Sequence, residues 1–237
     1  VTGTGDIQYT LDNGATWTTQ AITTSWVRYT FAATTANQQV GIRIRTNGDV
    51  IQIWGAQLEA GACPSSYIPT TSTTAQRQAD IATVTTLSPW YNATEGTLFV
   101  QFIEPCPDGA NNRGITALDD GTNNNRVALF VPLGATLVVA ARIVAGGVAS
   151  NPANSAAFTA AQVTKAAVAY AVGTNQAALA VNGATPITAS PVASPSGVNV
   201  LRIGAIFGAT QIGGWIQEVR YFNRRLRDTE LQTITTT

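Results

Sequence analysis

The stretch "IWGAQLEAGACPSSYIPTTSTTAQRQAD", Ile53 to Asp80, decides how the chain is divided. It opens like a β-strand, passes through a small-residue turn, and ends in a polar run with no hydrophobic period. Pro64 and Pro69 interrupt strand pairing, and the Thr-rich run that follows favours an extended backbone. Residues 63–80 read as a linker joining a module at 1–62 to a second at 81–237.

Upstream the period is two. "DIQYTLDNGATWTTQAI" reads as a hairpin turning at Asp12-Asn13-Gly14, residues that tolerate positive φ. "SWVRYTFAA" alternates Trp26, Arg28 and Thr30 against Val27, Tyr29 and Phe31. In "QVGIRIRTNGDVIQIWGAQLE", Val40, Ile42 and Ile44 are expected inside, Arg43 and Arg45 outside, with a turn at Asn47-Gly48 before a strand from Val50 to Trp54. That makes about five strands where a sandwich uses roughly seven. The expectation is that the module's opening strands lie upstream of Val1, and the absence of any Met agrees with a piece of a longer chain.

Downstream, strands are expected at Gly96–Glu104, Gly114–Asp119, Arg126–Val131, Thr136–Val144, Thr164–Val172, Gln176–Val181, Val200–Ile206 and Trp215–Phe222. Asn182-Gly183 is a strong hairpin signal. The Ala-rich run from Ala167 to Gly197 has weak strand propensity, but its Gly and Asn interruptions argue against one long helix. A short helix is expected near the C-terminus, with Asp228 as N-cap and Leu226, Leu231 and Ile234 on its apolar face. Antiparallel strands at even spacing give an all-β, two-sheet sandwich.

Composition excludes several functions. Thirteen basic and thirteen acidic residues leave no net charge, hence no electrostatic footprint for nucleic acid or an anionic membrane. No apolar run is long enough to insert into a bilayer as a helix, and "VTGTGDIQYT" has no secretion-signal pattern. There is no His, which removes the commonest general base and transition-metal ligand. The two cysteines, Cys63 and Cys106, are too few for a disulfide scaffold. They read as free thiols or as one clip between the modules, with free thiols expected.

Two resemblances follow from particular residues. Ile53 to Glu59 with Gly61, then Ser66 to Thr70, then Arg77, Ala79 and Asp80, resembles a junction in bacteriophage tail-fibre, tailspike and other virion appendage proteins. There a carbohydrate-binding-module-like jelly roll ends in this way, and Trp26, Arg28 and Tyr29 match an upstream strand of that module. Cys63 departs from the pattern. "EGTLFVQF" (95–102), "ALAVNG" (178–183), "LRIGA" (201–205) and "GWIQEVRYFNRRLRDTEL" (214–231) are similar to the concanavalin A-like lectin/glucanase superfamily in its laminin-G-like branch. Arg227 stands where that family often has a capping Ser. The implied fold is a partial jelly-roll sandwich followed by a concanavalin A-like (laminin-G-like) β-sandwich.

Candidate sites carry competing readings. Sugar binding asks for an aromatic face with planar polar neighbours, and Trp90 and Tyr91 with Asn92 are the best candidates; packing of the linker on the second sandwich is the other reading. Trp17 sits beside a hairpin, Trp54 and Trp215 are expected in the core, and Trp26 fits either place. Calcium could bind "LDDGTNNN" through Asp119 and Asp120, although these residue types also suit a plain hairpin turn, which is the expectation. "EPCPDGANNR" offers Asp108, Asn111 and Asn112 in the same double sense. Glycoside hydrolysis needs paired carboxyls about 5–10 Å apart; the acids here are scattered, so no enzyme and no catalytic residue is expected. The basic run "RYFNRRLR" reads as a solvated face paired with Glu218, Asp228 and Glu230.

The resemblances imply a virion protein on the particle surface (tail fibre, spike or decoration) that engages host-surface glycan and other virion proteins as a homo-oligomer, a trimer if it forms a fibre or spike. The alternatives are a purely structural assembly protein without a ligand, or a polysaccharide depolymerase or secreted bacterial carbohydrate-binding protein. No cofactor is expected unless calcium occupies the Asp119-Asp120 loop.

Overall fold

The computed structural model describes residues 3–34, 36–60, 64–76, 80–105, 111–134, 137–150, 157–172, 176–189, 193–208 and 210–237. The expectations placed on Cys63, Cys106 and Asp108 lie outside these residues. The described chain is nearly all β, with three sheets and one short helix, as its patterning predicts. It divides into two compact units, Val1–Arg77 and Gln78–Thr237.

The first unit contains the expected hairpin. β1 (Asp6–Thr10) pairs antiparallel with β2 (Thr18–Ala21) and, on its other edge, with β3 (Gly41–Arg43). Asn13 and Gly14 take φ of 59° and 85° at the turn, as anticipated. Asp12 holds that turn by accepting from Thr10 Oγ1 at 2.7 Å and from the Thr16 amide at 2.9 Å. The strands expected at 25–33 and 50–54 are absent: these residues run as irregular chain around a cavity of about 770 Å³ lined by Tyr9, Trp26, Phe31, Ile42 and Trp54. Val40, Ile42 and Ile44 are therefore not core residues: Ile42, on β3, and its neighbours Val40 and Ile44, just outside the strand, all lie about half exposed. Trp54 is likewise 75% exposed, with Tyr67 beside it at 5.1 Å between ring centroids.

What replaces strand pairing around the opening stretch is a side-chain staple. Gln57 Oε1 accepts from the Ile68 amide at 3.1 Å, and Glu59 accepts from the Ser65 amide and from Ser65 Oγ at 2.8 Å. Arg28 donates to the Ser65 carbonyl at 3.0 Å. Gly55 adopts φ of 67°, a left-handed conformation that glycine takes without strain, and the Tyr67 ring lies beside it.

The second unit is a sandwich. One sheet runs β12 (Ile187–Ala189), β11 (Gln176–Val181), β10 (Val163–Ala171), β5 (Glu95–Ile103), β15 (Trp215–Phe222). The facing sheet runs β4 (Ala82–Val84), β13 (Val200–Ile203), β6 (Arg113–Asp119), β7 (Arg126–Val131), β8 (Ala140–Ala145), β9 (Val148–Ser150), with β14 (Thr210–Gln211) added parallel to β6. Alternation supplies the core: Leu98, Val100, Phe102, Val168, Tyr170 and Leu179 from the first sheet meet Ile115, Leu118, Val127, Leu129 and Ile143 from the second. A buried ion pair between Glu104 and Arg113, 2.5 Å apart, joins the end of β5 to the start of β6.

The outer face of the five-stranded sheet is covered by α1 (Asp228–Thr235). Leu226 and Leu231 pack on Phe99, Ala167, Ala169, Ala178 and Ala180, so the Ala-rich strands are low in profile where the helix docks. Thr97 Oγ1 accepts from the Leu226 amide at 2.9 Å and donates to the Arg224 carbonyl at 3.0 Å. The N-cap is Arg227 rather than Asp228, because Glu230 reaches back to accept from the Arg227 amide at 2.7 Å. Asp228 pairs instead with Arg225, while Glu218 pairs with Arg220 and Glu230 with Arg224. Trp215 is not buried either: β15 is an edge strand with a register shift between Ile216 and Glu218, and Trp215 is left 61% exposed.

Two predictions follow from these contacts. The hydrogen bond from Arg224, then that from the Arg227 amide, lowers the Glu230 pKa to about 2. A depressed carboxylate stabilises the fold fully above its unfolded pKa of about 4.3 and loses that contribution as pH falls toward the folded value. NMR or hydrogen exchange should show α1 loosening between about pH 4 and pH 2, and a Glu230→Gln variant should lack that step. Glu104→Ala leaves a buried guanidinium without its carboxylate and should cost about 3–5 kcal/mol in chemical denaturation.

Candidate functional site

The loop expected to bind sugar is built into the sandwich. Trp90 and Tyr91 pack on the core, their rings 5.4 Å and 5.8 Å from that of Tyr221. The Trp90 indole N–H donates to the Thr86 carbonyl at 3.2 Å. Asn92 donates through Nδ2 to the Asn223 carbonyl at 3.0 Å and accepts from the Thr94 amide at 3.0 Å. Its carbonyl accepts from both Tyr170 and Tyr221 hydroxyls, at 2.9 Å and 3.0 Å. Burial pushes the phenols of Tyr91, Tyr170 and Tyr221 above their ordinary range. The Trp90 indole N–H and the Asn92 side chain are thus engaged within the chain.

The Asp119-Asp120 loop is a turn stapled by its own carboxylates. Asp120 accepts from the Thr122 amide and hydroxyl and from Asn125 Nδ2, and the Thr122 hydroxyl is the main cause lowering its pKa. Asp119 is fully buried on the other side, accepting from Gly121 at 2.8 Å and from Arg202 at 2.6 Å and 3.1 Å. Opposite-facing carboxylates with their lone pairs in use do not fit a calcium site. Among the described residues no group of three or more acidic, His or Cys side chains gathers anywhere. Asn112 accepts from the Leu133 amide at 2.9 Å, and the Asn111 carbonyl accepts from Arg113. Trp17 carries the Arg43 guanidinium 4.1 Å above its ring, and Trp26 is 71% exposed.

The residues that sequence reading missed lie on the outer face of the second sheet, the one α1 does not cover. Register places Arg202, Ala117, Ala128 and Arg142 side by side across β13, β6, β7 and β8. The next row on the same face sets Asp119 opposite Arg126. Ala117, Ala128, Phe130, Ala140 and Ile206 form an apolar floor between them. Arg142 lies over the Phe130 ring at 5.2 Å, and Arg202 over Phe207 at 5.4 Å. Arg126 is 7% exposed; it donates to Asn123 and to the Phe207 carbonyl at 3.2 Å, so it holds two loops at the rim. Burial, and then the like charge of Arg142, lower its pKa against the opposing effect of Asp119. The Nε atoms of Arg126 and Arg142 are buried without a hydrogen-bond partner among the described residues. Arg126, Arg142 and Arg202 lie on three separate strands, one each, so pairing register rather than sequence spacing gathers them.

Gly114 shapes this face. A Cβ there would collide with the Ile206 amide and the Ala205 carbonyl carbon, so only glycine lets the 204–208 loop cross the sheet so closely. The Gly204 amide donates to the Ile115 carbonyl at 2.7 Å, and Ile212 to Gly114 at 3.1 Å, fixing the loop at both ends.

No protein-family model and no curated protein matches this chain. Among solved structures, the chain is similar to the Ruminococcus gnavus IT-sialidase CBM40 bound to α2,3 sialyllactose, at 18% identity over 61% of this chain and 84% of that one, with a TM-score of 0.47. It is also similar to the NanB sialidase from Streptococcus pneumoniae, at 16% identity over 60% of this chain and 24% of that one, TM-score 0.44. A third is the heptameric SAP-like pentraxin from Limulus polyphemus, at 12% identity over 66% and 81% of the two chains, TM-score 0.46.

Gly114→Ala should displace the 204–208 loop and cost about 1–3 kcal/mol by overpacking, read as a lower denaturation midpoint. The same change should shift the NMR signals of Arg126 and Phe207 more than those of the α1 face.

Proposed function

We propose that this chain is a non-enzymatic structural and adhesive component of a bacteriophage particle, carried on a tail fibre, spike or decoration, that engages host-surface carbohydrate. The observation that carries the adhesive part is the arginine-bearing outer face of the second sheet. Arg142 and Arg202 stay partly exposed here, and their planar guanidinium groups, held over Phe130 and Phe207, suit the hydroxyl groups of a sugar. The particle assignment rests on the Gly55–Glu59 and Ser66–Thr70 resemblance, and the staple described above gives those residues a physical role. Other virion proteins and further copies of this chain are the proposed partners, a trimer in a fibre or spike. Asp119, the carboxylate of this face, is bound in the Arg202 pair, which supports binding without acid–base chemistry.

A second reading is a purely structural virion protein, with a depolymerase or a secreted bacterial carbohydrate-binding protein as further alternatives. The structural reading is favoured by one observation: Trp90, Tyr91 and Asn92 are occupied in holding the chain onto the sandwich. Sugar contact at Trp90 and Tyr91 remains the lesser proposal beside the arginine face.

Host-surface polysaccharide incubated with the assembled protein tests these readings. Per chain, affinity should sit near the millimolar end, about −4 kcal/mol, and repetition in an oligomer should raise avidity by roughly 10²–10⁴. Arg142→Ala should weaken binding, whereas Trp90→Ala with Tyr91→Ala should lower stability and leave affinity intact. Loss of binding in the aromatic double variant at unchanged stability would move the site to that loop. Release of reducing ends, abolished by one carboxylate substitution, would favour the depolymerase; no binding at all would favour the structural protein.

A further inference from the structure

The sandwich of the second unit covers its large apolar side chains, and the first unit leaves many of its own in the open. Trp26, Val40, Ile42, Ile53, Trp54 and Leu58 all border the cavity of about 770 Å³, yet each is between 40% and 75% exposed. From those exposures the six offer roughly 800 Å² to solvent, above the ~300–600 Å² of an ordinary monomer's largest patch. About 800 Å² is also what each partner gives to a stable protein interface.

The charge of this face argues what covers it. Among the described residues lining the cavity only Arg28 and Glu59 are charged; they are opposite in sign, and both are tied within the chain to Ser65. A charged or strongly polar occupant meets no complementary group here, whereas a second neutral, aromatic face does. The shape is complementary to itself as well. Trp26 and Trp54 are the most exposed of the six and stand at the rim, and the cavity beside them has room for an indole ring. Tyr67 backs the Trp54 ring at 5.1 Å, and the hydrogen bond from the Ile68 amide to Gln57 fixes the chain that carries both. A knob already held in place loses little freedom on seating.

We infer that this face is where copies of the chain meet, the Trp26 and Trp54 indoles of one copy seating in the first-unit cavity of the next. This rests on the oligomeric part of the function proposed above and locates its interface. With knob and hole on one face, each copy both gives and receives, so successive contacts can close into a ring. The contact is apolar and therefore persists as salt is added.

Sedimentation of the intact chain across the micromolar range, with indole emission followed in parallel, tests this. The protein should sediment above its single-chain mass of 24.7 kDa, and its emission should move to the blue as concentration rises, at low and high salt alike. Trp54→Glu and, separately, Trp26→Glu put a charge into the contact and should each weaken assembly by about 30-fold or more. Both side chains are exposed, so the NMR signals of the sandwich core should stay in place. Trp215→Glu, at an exposed tryptophan of the second unit, should leave assembly unchanged. Assembly that survives both first-unit variants, or that fails in Trp215→Glu, would overturn the inference and move the interface, with the oligomeric reading left standing. A chain that stays a monomer at every concentration would remove both. A monomer whose indole emission moves on addition of host-surface polysaccharide would make the face a sugar platform and overturn the inference as well.

Discussion

A β-sheet has two faces, and a two-sheet sandwich has only one interior to offer them. That constraint organises the second unit. The inward residues, Leu98 to Phe102 on β5 and Val127 to Val131 on β7, fill the shared core by simple alternation. The outward residues must find separate solutions. On the five-stranded sheet the solution is a helix, fitted closely because the strands beneath it are alanine-rich. On the facing sheet it is a short loop crossing at Gly114, with long basic side chains filling the remainder. The buried Glu104–Arg113 pair sits where the chain passes from one sheet to the other. Its own desolvation is unfavourable, and its value lies in fixing that passage.

Period-two patterning made much of this legible. Arg126–Val131, Gln176–Val181 and Trp215–Phe222 form strands with the bounds that the sequence predicts: the first and last are rich in β-branched and aromatic residues, and the Ala-rich second is bounded by its Asn182-Gly183 hairpin turn. The alternation does not say which face is solvent, and here both faces of β6 and β7 are buried. That is why Arg126, Arg142 and Arg202 passed unnoticed: on a strand assumed half-exposed, an arginine is ordinary. Trp215 fails for a related reason, because a bulge in an edge strand breaks the alternation just beyond it. In the first unit the strong alternation of Val40, Ile42 and Ile44 implied a second layer; Val40 and Ile42 instead border a cavity, and Ile44 lies exposed.

The opening stretch shows how a motif can be legible while its structure is not. Gly55, Gln57 and Glu59 were recognisable as a pattern, placed just after the strand expected from Val50 to Trp54. Their role is local: Gln57 and Glu59 supply side-chain acceptors to the amides of Ile68 and Ser65, doing without a neighbouring strand. Spacing between Glu59 and Tyr67 is therefore set by the reach of two side chains, and the linker expected from residue 63 begins with residues that belong to this tie.

The alanines under α1 have a consequence for how the unit comes together. An alanine has no rotamers to lose, so ordering Ala167, Ala169, Ala178 and Ala180 beneath the helix carries almost no side-chain entropy cost. It also returns little, since each methyl removes a small apolar area from water. The helix layer is cheap to order and shallow in gain, whereas the Leu, Phe and Tyr interior is costly to order and deep. Docking of α1 is thus a separable event laid on a sandwich that holds its own shape, and the chain can breathe at its helix without opening its core.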